Sequence, residues 1–439
     1  MQTHFTLAQL ADPDLKEAEK ILRACVHCGF CTATCPTYVL LGDELDSPRG
    51  RIYLIKQMLE GGKAATAKVA KHVDRCLSCL SCMTTCPSGV NYMHLVDHAR
   101  GHIEKSYRRP LDERVTRAVL GRVLSRPALL RAALLAAFLA RPLKVLARGR
   151  LRALFDLAPK RLASRSPVDR PQVFPAEGER RMRAALLSGC AQQALAPSIN
   201  EATVRLLTRH GCEVVVTKGV GCCGALTHHM GKECLGLADV RANVAAWSRE
   251  IEGAGLDAIV VNASGCGTMV KDYGFLLRKE PEWAERGARV AALARDVSEV
   301  VASLGLDPPV RRSGLAVAYH SACSLQHGQR VNAQPRTLLA AAGFELREVP
   351  EGHLCCGSAG TYNMLQPELS QRLLARKLAN IDSTGAELVA AGNIGCIMQL
   401  SRASARAVVH PVELLDWATG GPPPAAWEAR RAEPIPARA

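Results

Sequence analysis

The sequence predicts an α+β protein: a small, mostly helical domain followed by a duplicated α/β unit with a parallel sheet. Three observations lead to this prediction. Eight of the 18 cysteines stand in two short blocks before residue 87. A strongly basic segment broken by prolines follows these blocks. Beyond it, cysteine-bearing motifs recur at a nearly constant offset among alternating strand and helix patterns, which indicates two copies of one parallel-sheet unit.

The composition indicates a globular protein of the cytoplasm. A chain of 439 residues with 48% apolar residues is long enough for two or three domains. The most apolar stretch, residues 127–143, is interrupted by Arg131 and Arg141 and is too short to cross a bilayer. The first residues lack the basic and apolar regions of a secretory signal. Because cytoplasmic cysteines stay reduced, metal or redox chemistry is a better interpretation than disulfides.

The two N-terminal cysteine blocks predict two [4Fe-4S] clusters. Residues 25–36 and 76–87 share the spacing C-x2-C-x2-C-x3-C-P. In this spacing the first three thiolates bind one cluster and the fourth binds the other. The predicted ligands are Cys25, Cys28, Cys31 and Cys86 for cluster 1, and Cys76, Cys79, Cys82 and Cys35 for cluster 2. Zinc is the weaker alternative, because four-cysteine zinc sites would not need the third cysteine of each block.

These blocks are expected to form a ferredoxin-type domain over residues 1–104. Between them, the Ser-Pro pair at 47–48 has the residue types of a helix start, and the glycine pair at 61–62 predicts the helix end. We expect this helix to pack against the clusters. Its Arg49 and Arg51 either offset the negative charge of the clusters or lie on a solvated helix face.

The next segment, residues 105–183, carries nearly all of the net charge. It holds 20 Lys and Arg against 6 Asp and Glu, which accounts for +14 of the chain's +15. Its prolines predict short helices followed by an irregular linker over residues 158–181. Two interpretations stay open for this connector: a solvated linker, or a basic amphipathic surface that faces anionic lipid or an acidic partner. No nucleic-acid recognition motif accompanies the charge, so nucleic acid is not an expected partner.

The C-terminal half contains an internal duplication, with one copy over residues 184–310 and the other over residues 311–439. Each copy reads as three strand-helix units, which favours a parallel sheet. The matched cysteines are Cys190 and Cys323, Cys222 and Cys355, and Cys223 and Cys356, each pair 133 residues apart, with Cys266 and Cys396 130 residues apart. These cysteines follow the strand patterns, so each set of four is expected to converge beyond the carboxyl ends of the strands.

A further cluster in either copy and buried structural cysteines are both consistent with this pattern. Cys212 and Cys234 lie outside the repeated positions and are predicted to be core residues.

Five histidines near the cysteine motifs are candidates for tuning a redox potential or moving a proton. They are His27, His228, His229, His320 and His353. The sequence shows neither a catalytic Ser/His/Asp set, nor paired carboxylates, nor a dinucleotide fingerprint. We therefore predict no catalytic residue in this chain and expect any flavin to belong to a partner.

Three further stretches add specificity to the cysteine pattern: "SPRGRIYLIKQM" from residue 47, "YHSACSLQHGQ" from residue 319 and "CCGSAGTYNMLQPELS" from residue 355. Together with the two cysteine blocks and the two "CCG" repeats, they resemble the iron-sulfur subunit family of bacterial glycolate oxidases (glycolate dehydrogenases). The resemblance covers nearly the whole chain. The cysteine blocks alone are also similar to the iron-sulfur proteins of succinate dehydrogenase, anaerobic glycerol-3-phosphate dehydrogenase and heterodisulfide reductase. The alternative function is that of an iron-sulfur subunit for another flavin dehydrogenase, acting on lactate or glycerol 3-phosphate, or for a heterodisulfide-reductase-like complex.

The resemblance implies that a separate subunit carrying FAD oxidises glycolate to glyoxylate, and that this chain passes the electrons to a quinone or another membrane acceptor. It also implies a place in the cytoplasm, with peripheral contact to the cytoplasmic face of the inner membrane as a further expectation. One departure concerns the third cysteine element. Heterodisulfide-reductase-like repeats have C-x2-C there, whereas this chain has Ala263 and Asn393 before the single Cys266 and Cys396.

Overall fold

Short helices surround the cysteine blocks in the computed structural model, which describes residues 1–142, 155 and 162–432. The helices of the N-terminal domain are α1 (Leu7–Leu10), α2 (Pro13–Ala24), α3 (Phe30–Thr34), α4 (Pro36–Leu41), α5 (Pro48–Glu60), α6 (Ala67–Asp74), α7 (Ser81–Thr85) and α8 (Tyr92–Ser106). Helix α5 begins as predicted, because the Ser47 hydroxyl accepts a hydrogen bond from the Gly50 N–H at 3.0 Å and Pro48 occupies the first turn. Its apolar face packs into the core of this domain.

The first part of the basic connector is helical, as predicted. It forms α9 (Leu111–Leu124) and α10 (Pro127–Leu139), which pack together as a hairpin. The rest of the predicted linker lies partly outside the described residues. Where it is described, it is not wholly irregular: β1 (Gln172–Phe174) pairs antiparallel with the edge of the first sheet. The prediction of an irregular stretch was wrong there, because a three-residue strand at a sheet edge leaves no alternating pattern in the sequence.

The first repeat contains a five-stranded sheet. Its strands are β2 (Met182–Leu186), β3 (Cys212–Val216), β4 (Ala258–Val261) and β5 (Ala294–Asp296), in the order β1-β3-β2-β4-β5. All pairs except β1 with β3 are parallel, and Ala184 lies opposite both Val214 and Ala258. The helices are α11 (Ala191–Leu195), α12 (Ser198–Arg209), α13 (Ala225–His229), α14 (Glu233–Glu252), α15 (Ser264–Lys271), α16 (Tyr273–Leu276), α17 (Pro281–Leu293) and α18 (Val297–Leu304).

The second repeat has four parallel strands in the same order as the parallel strands of the first. Its strands are β6 (Ala316–His320), β7 (Glu345–Glu348), β8 (Leu388–Ala391) and β9 (Ala407–Val409), all parallel and in the order β7-β6-β8-β9. The helices are α19 (Ala333–Ala341), α20 (Tyr362–Leu365), α21 (Pro367–Asp382), α22 (Ile394–Ser401), α23 (Pro411–Ala418) and α24 (Ala425–Ala432). In both repeats the first strand lies between the second and the third, so the duplication and the fold class are confirmed.

The two repeats share one apolar core. Residues of both sheets, including Leu186, Val260, Val317 and Leu388, belong to the same buried cluster. Cys212 lies in this core, as predicted. The prediction for Cys234 was wrong, because its side chain is exposed near the start of α14. None of the described helices is both long and apolar enough to span a membrane.

Candidate iron-sulfur sites

Five cysteines line a first thiol pocket in the N-terminal domain: Cys25, Cys28, Cys31, Cys82 and Cys86. The loop that carries the first three turns sharply because His27 and Gly29 both have left-handed backbone, with φ of 58° and 88°. Glycine adopts this conformation freely, whereas a histidine there is uncommon. The bends bring three thiols of one short loop to the same pocket, and Cys86 arrives from the other cysteine block.

Four cysteines line a second thiol pocket: Cys35, Cys76, Cys79 and Cys82. Its loop repeats the left-handed bends at the equivalent positions, with φ of 50° at Ser78 and 63° at Leu80. The Ser78 N–H points at the Cys76 Sγ, 3.4 Å away. Cys82 also reaches the wall of the first pocket, so the two pockets are neighbours. Each pocket thus contains the first three cysteines of one block and the last cysteine of the other, and Cys82 borders both pockets.

A buried guanidinium lies beside the second thiol pocket. The Arg51 side chain, only 1% exposed, approaches the Cys35 Sγ to 3.8 Å and pairs with the buried carboxylate of Asp46 at 3.2 Å. Burial opposes the charged form, yet the negative charges of Cys76 and its neighbours raise the pKa of Arg51 above its usual range. Arg51 therefore stays positive next to a pocket lined by four cysteines, and the alternative of a solvated face is wrong for this residue.

Arg49 behaves differently. Its guanidinium pairs with Glu44 near the surface and covers Gly29 in the first loop, where a Cβ would come within 2.5 Å of it. A side chain at position 29 would therefore both strain the backbone and displace Arg49.

The four thiols of the first repeat come together as predicted, and we call them the repeat 1 thiols: Cys190, Cys222, Cys223 and Cys266. They follow β2, β3 and β4, at the carboxyl ends of the strands. Hydrogen bonds from its thiol neighbours Cys190 and Cys223 lower the pKa of Cys222. The Gly224 N–H also points at the Cys222 Sγ, 3.4 Å away. One thiolate in this group is thus stabilised by hydrogen bonds, as a metal ligand requires.

The repeat 2 thiols form the matching group: Cys323, Cys355, Cys356 and Cys396. The Sγ atoms of Cys323 and Cys355 are 3.9 Å apart, and the Gly357 N–H repeats the contact of Gly224 by pointing at Cys355 Sγ. The ammonium of Lys377, 2% exposed, lies near these thiols and donates a hydrogen bond to the Glu351 carbonyl. The sequence interpretation missed Lys377. A lysine on the buried face of α21, where the first repeat has Val244, was the available signal.

Both thiol groups face a central cavity of about 790 Å³, bounded by the two repeats, the N-terminal domain and the α9–α10 hairpin. Leu120, Leu130 and Leu134 of the hairpin form one apolar wall. The cysteines that line it are Cys76, Cys190, Cys222, Cys223, Cys266, Cys323, Cys355 and Cys396. The cavity therefore connects the second thiol pocket with both repeats.

The second thiol pocket also touches the repeat 2 thiols directly. Cys79 and Leu77 pack in one buried cluster with Cys355 and Tyr362. Burial, and then the charge of Cys323, raise the pKa of the Cys79 thiol. The three sets form a series: the first pocket adjoins the second, and the second adjoins repeat 2.

The candidate histidines differ in their exposure and in the groups that surround them. His27 is exposed on the first loop, and His353 is half-buried. The rings of His228 and His229 face Asp97 of α8, with His229 Nδ1 3.0 Å from the carboxylate. His320 is buried among the repeat 2 thiols, next to Cys356 and Cys396.

Family comparisons agree with this arrangement. The 4Fe-4S dicluster domain family matches residues 21–90, and the cysteine-rich domain family named CCG matches residues 184–271 and 317–401. The chain is 42% identical over 419 residues to the glycolate oxidase iron-sulfur subunit of Escherichia coli K12, covering 95% of this chain and 99% of that one. This chain belongs to the glycolate oxidase iron-sulfur subunit family.

Other similar proteins have lower sequence identity to this chain. A probable glycolate oxidase iron-sulfur subunit of Bacillus subtilis 168 is 33% identical and covers 86% of this chain and 87% of its own. Lactate utilization protein A of the same organism is 28% identical, covering 54% of this chain and 99% of its own. A crystal structure of a hypothetical protein from Helicobacter pylori shares the fold, with a TM-score of 0.54 and 11% identity over 95% of this chain and 74% of that one.

Proposed function

We propose that this protein is the electron-transfer subunit of a glycolate-oxidising complex. A flavin-bearing partner oxidises glycolate to glyoxylate, and this chain carries the electrons onward without catalysing the oxidation itself. The observation that carries the proposal is the series of adjoining thiol sets, from the first pocket through the second to the repeats. The substrate comes from the names of the two relatives that match most of the chain.

In this proposal each thiol pocket holds one [4Fe-4S] cluster. The ligands are Cys25, Cys28, Cys31 and Cys86 in the first, and Cys76, Cys79, Cys82 and Cys35 in the second. When bound, such clusters accept and release single electrons. The residues fit this role, because the left-handed loops converge the thiols and the Arg51 charge offsets the negative charge of the second site.

Electrons enter at the first pocket. Cys28 is exposed there, and two apolar side chains of the same loop, Val26 and Phe30, are also exposed, at 65% and 63%. Exposed apolar groups beside a redox centre suit a protein partner. The second pocket is buried by contrast, so electrons continue inward to the central cavity.

A quinone at the membrane is the proposed acceptor. The α9–α10 hairpin forms one wall of the central cavity and exposes apolar side chains outward, among them Leu111, Val115 and Leu139. Exposed Arg114, Arg122 and Arg126 accompany them. A surface of this kind suits the cytoplasmic face of an anionic bilayer, with the cavity behind it open to an apolar acceptor.

The test is to purify the complex from cells under anaerobic conditions and to identify the co-purifying flavoprotein. We expect about eight irons per copy of this chain from the two N-terminal clusters, and reduction of the clusters by glycolate. Zinc in place of iron would contradict the proposal.

Lactate is the second candidate substrate, because lactate utilization protein A aligns along its whole length with about half of this chain. Cluster reduction by lactate, and not by glycolate, would favour it.

A further inference from the structure

The second repeat contains an imidazole among its thiols that the first repeat lacks. His320 ends β6, and its side chain is 2% exposed. A ring nitrogen of His320 and the Sγ atoms of Cys356 and Cys396 all lie within 4.8 Å of one another. These three residues bring two sulfur donors and one nitrogen donor to one buried point.

Both ring nitrogens of His320 are without a hydrogen-bond partner among the described residues. A neutral imidazole has one N–H donor and one acceptor nitrogen, and burying both unpaired is unfavourable. Each other fully buried histidine has at least one partner. The pairs are His72 with Asp46, His210 with the Leu206 carbonyl, His327 with Thr84 and His410 with the Val412 N–H.

The duplication supplies an internal comparison. The position of His320 corresponds, at the offset of 133, to Leu187, which is 2% exposed in the apolar core of the first repeat. A leucine therefore suits this buried place, and packing does not require a polar ring. The presence of a histidine at this position in the second repeat indicates that its ring nitrogen binds a ligand.

The donor set indicates what kind of ligand. Two thiols and an imidazole are the ligands that borderline, thiophilic metals such as Zn²⁺ and iron select. In a tetrahedral site with metal-sulfur bonds of about 2.3 Å and metal-nitrogen bonds of about 2.0 Å, the donors are about 3.5 to 3.8 Å apart. The observed limit of 4.8 Å is close enough for small side-chain movements to reach this geometry.

We propose that His320, Cys356 and Cys396 bind a thiophilic transition metal in the second repeat, either Zn²⁺ or iron. The imidazole makes this site chemically different from the repeat 1 thiols, which offer sulfur alone. If the metal is iron, the neutral ring in place of a thiolate raises its reduction potential, as histidine ligation does in Rieske centres. The proposal is independent of the substrate and of the two N-terminal clusters.

The experiment uses the full chain in its native complex, purified anaerobically. Iron and zinc per chain are measured, and X-ray absorption spectra are recorded at both metal edges. We compare the wild type with His320→Leu, which installs the residue of the first repeat. His410→Leu is the matched control, because His410 is equally buried and its described partners include no thiol.

We expect His320→Leu to lose about one metal equivalent, or to release it at least about tenfold faster to a chelator, and to lose the nitrogen contribution at that metal's edge. The metal that disappears distinguishes zinc from iron. His410→Leu should keep the full complement, and His320→Cys should regain it with a sulfur-only shell. An unchanged metal content and spectrum in folded His320→Leu would overturn the proposal, and so would an equal loss of metal in His410→Leu. Reduction of the N-terminal clusters by glycolate tests the proposed function separately.

Discussion

Leu80 illustrates how single residues in the cluster loops accept strain. Its backbone is left-handed at φ 63°, a conformation that costs a non-glycine residue about 1 to 2 kcal/mol. Its side chain is buried, so packing offsets part of this cost. The equivalent position in the first loop is Gly29, where the cost disappears. Both loops thus adopt the same bend by different means, because the convergence of three thiols requires it.

Our first prediction concerns the fourth cysteine of the first block. Cys35 lies in the second thiol pocket, away from the other cysteines of its own block. Cys35→Ser should therefore change the spectrum and potential of the cluster at Cys76, Cys79 and Cys82. Redox titration followed by electron paramagnetic resonance measures this. A change restricted to the cluster at Cys25, Cys28 and Cys31 would contradict the crossed assignment, and Cys86→Ser should show the reciprocal pattern.

The second prediction concerns the charge of Arg51. Arg51→Gln removes one of the two guanidinium partners of the buried Asp46, which keeps Arg75 at 2.7 Å, so the free energy of unfolding should fall by about 1 to 3 kcal/mol. It also removes a positive charge beside Cys35, so the reduced cluster becomes less favourable and the midpoint potential of the second cluster should fall. Arg49→Gln is the control: its ion pair with Glu44 is near the surface, so we expect a change of about 0.5 kcal/mol or less. If Arg51→Gln and Arg49→Gln lowered the free energy of unfolding equally, the burial of the Arg51 ion pair would not account for its contribution.

Among the elements, the α9–α10 hairpin has two different faces. Leu120, Leu130 and Leu134 point inward to the central cavity, while Leu111 and Leu139 are exposed. An ordinary surface helix buries its apolar side chains on one face, so apolar groups on both faces indicate a second contact surface. The cavity behind the hairpin gives that surface a connection to the redox groups.

The third prediction is that this hairpin binds anionic membranes. Association with vesicles containing phosphatidylserine should weaken as salt is raised, because each Lys or Arg near the surface contributes about 1 kcal/mol and is screened. Sedimentation with the vesicles measures the bound fraction, with neutral phosphatidylcholine vesicles as the control. Replacing Leu111, Val115 and Leu139 by serine should reduce binding at all salt concentrations. Vesicle binding that depends on neither salt concentration nor lipid charge would contradict the proposed membrane-binding surface.

At the scale of the whole molecule, the sequence predicted those features that repeat or that have fixed spacing. The cysteine spacing placed Cys35 with Cys76, and the offset of 133 predicted two similar sheets, as the structure has them. It did not predict β1, or the contact of Cys79 with Cys355, because both depend on surfaces that meet only after folding. Long-range docking of this kind leaves no periodic signal in a single sequence.

The last prediction asks whether the repeats carry electrons or only form the fold. Cys223 and Cys356 are both buried, so alanine at a purely structural site should cost about 1 kcal/mol and leave turnover intact in the folded complex. At a metal ligand, the same change should stop electrons from reaching the acceptor while substrate still reduces the flavin of the partner. We expect Cys356→Ala to lower steady-state oxidation at least tenfold and to leave the two N-terminal clusters in place.

Cys212→Ala is the matched control, since Cys212 is also fully buried but begins β3, whereas the thiol groups lie beyond the carboxyl ends of the strands. Stopped-flow absorbance separates flavin reduction from the reduction of an added quinone. Because the second pocket contacts the repeat 2 thiols through Cys79, the loss should appear in the second step alone. If Cys223→Ala and Cys356→Ala both turn over at the normal rate, electrons leave the chain from the second pocket, and the repeats serve only to hold that pocket against its acceptor.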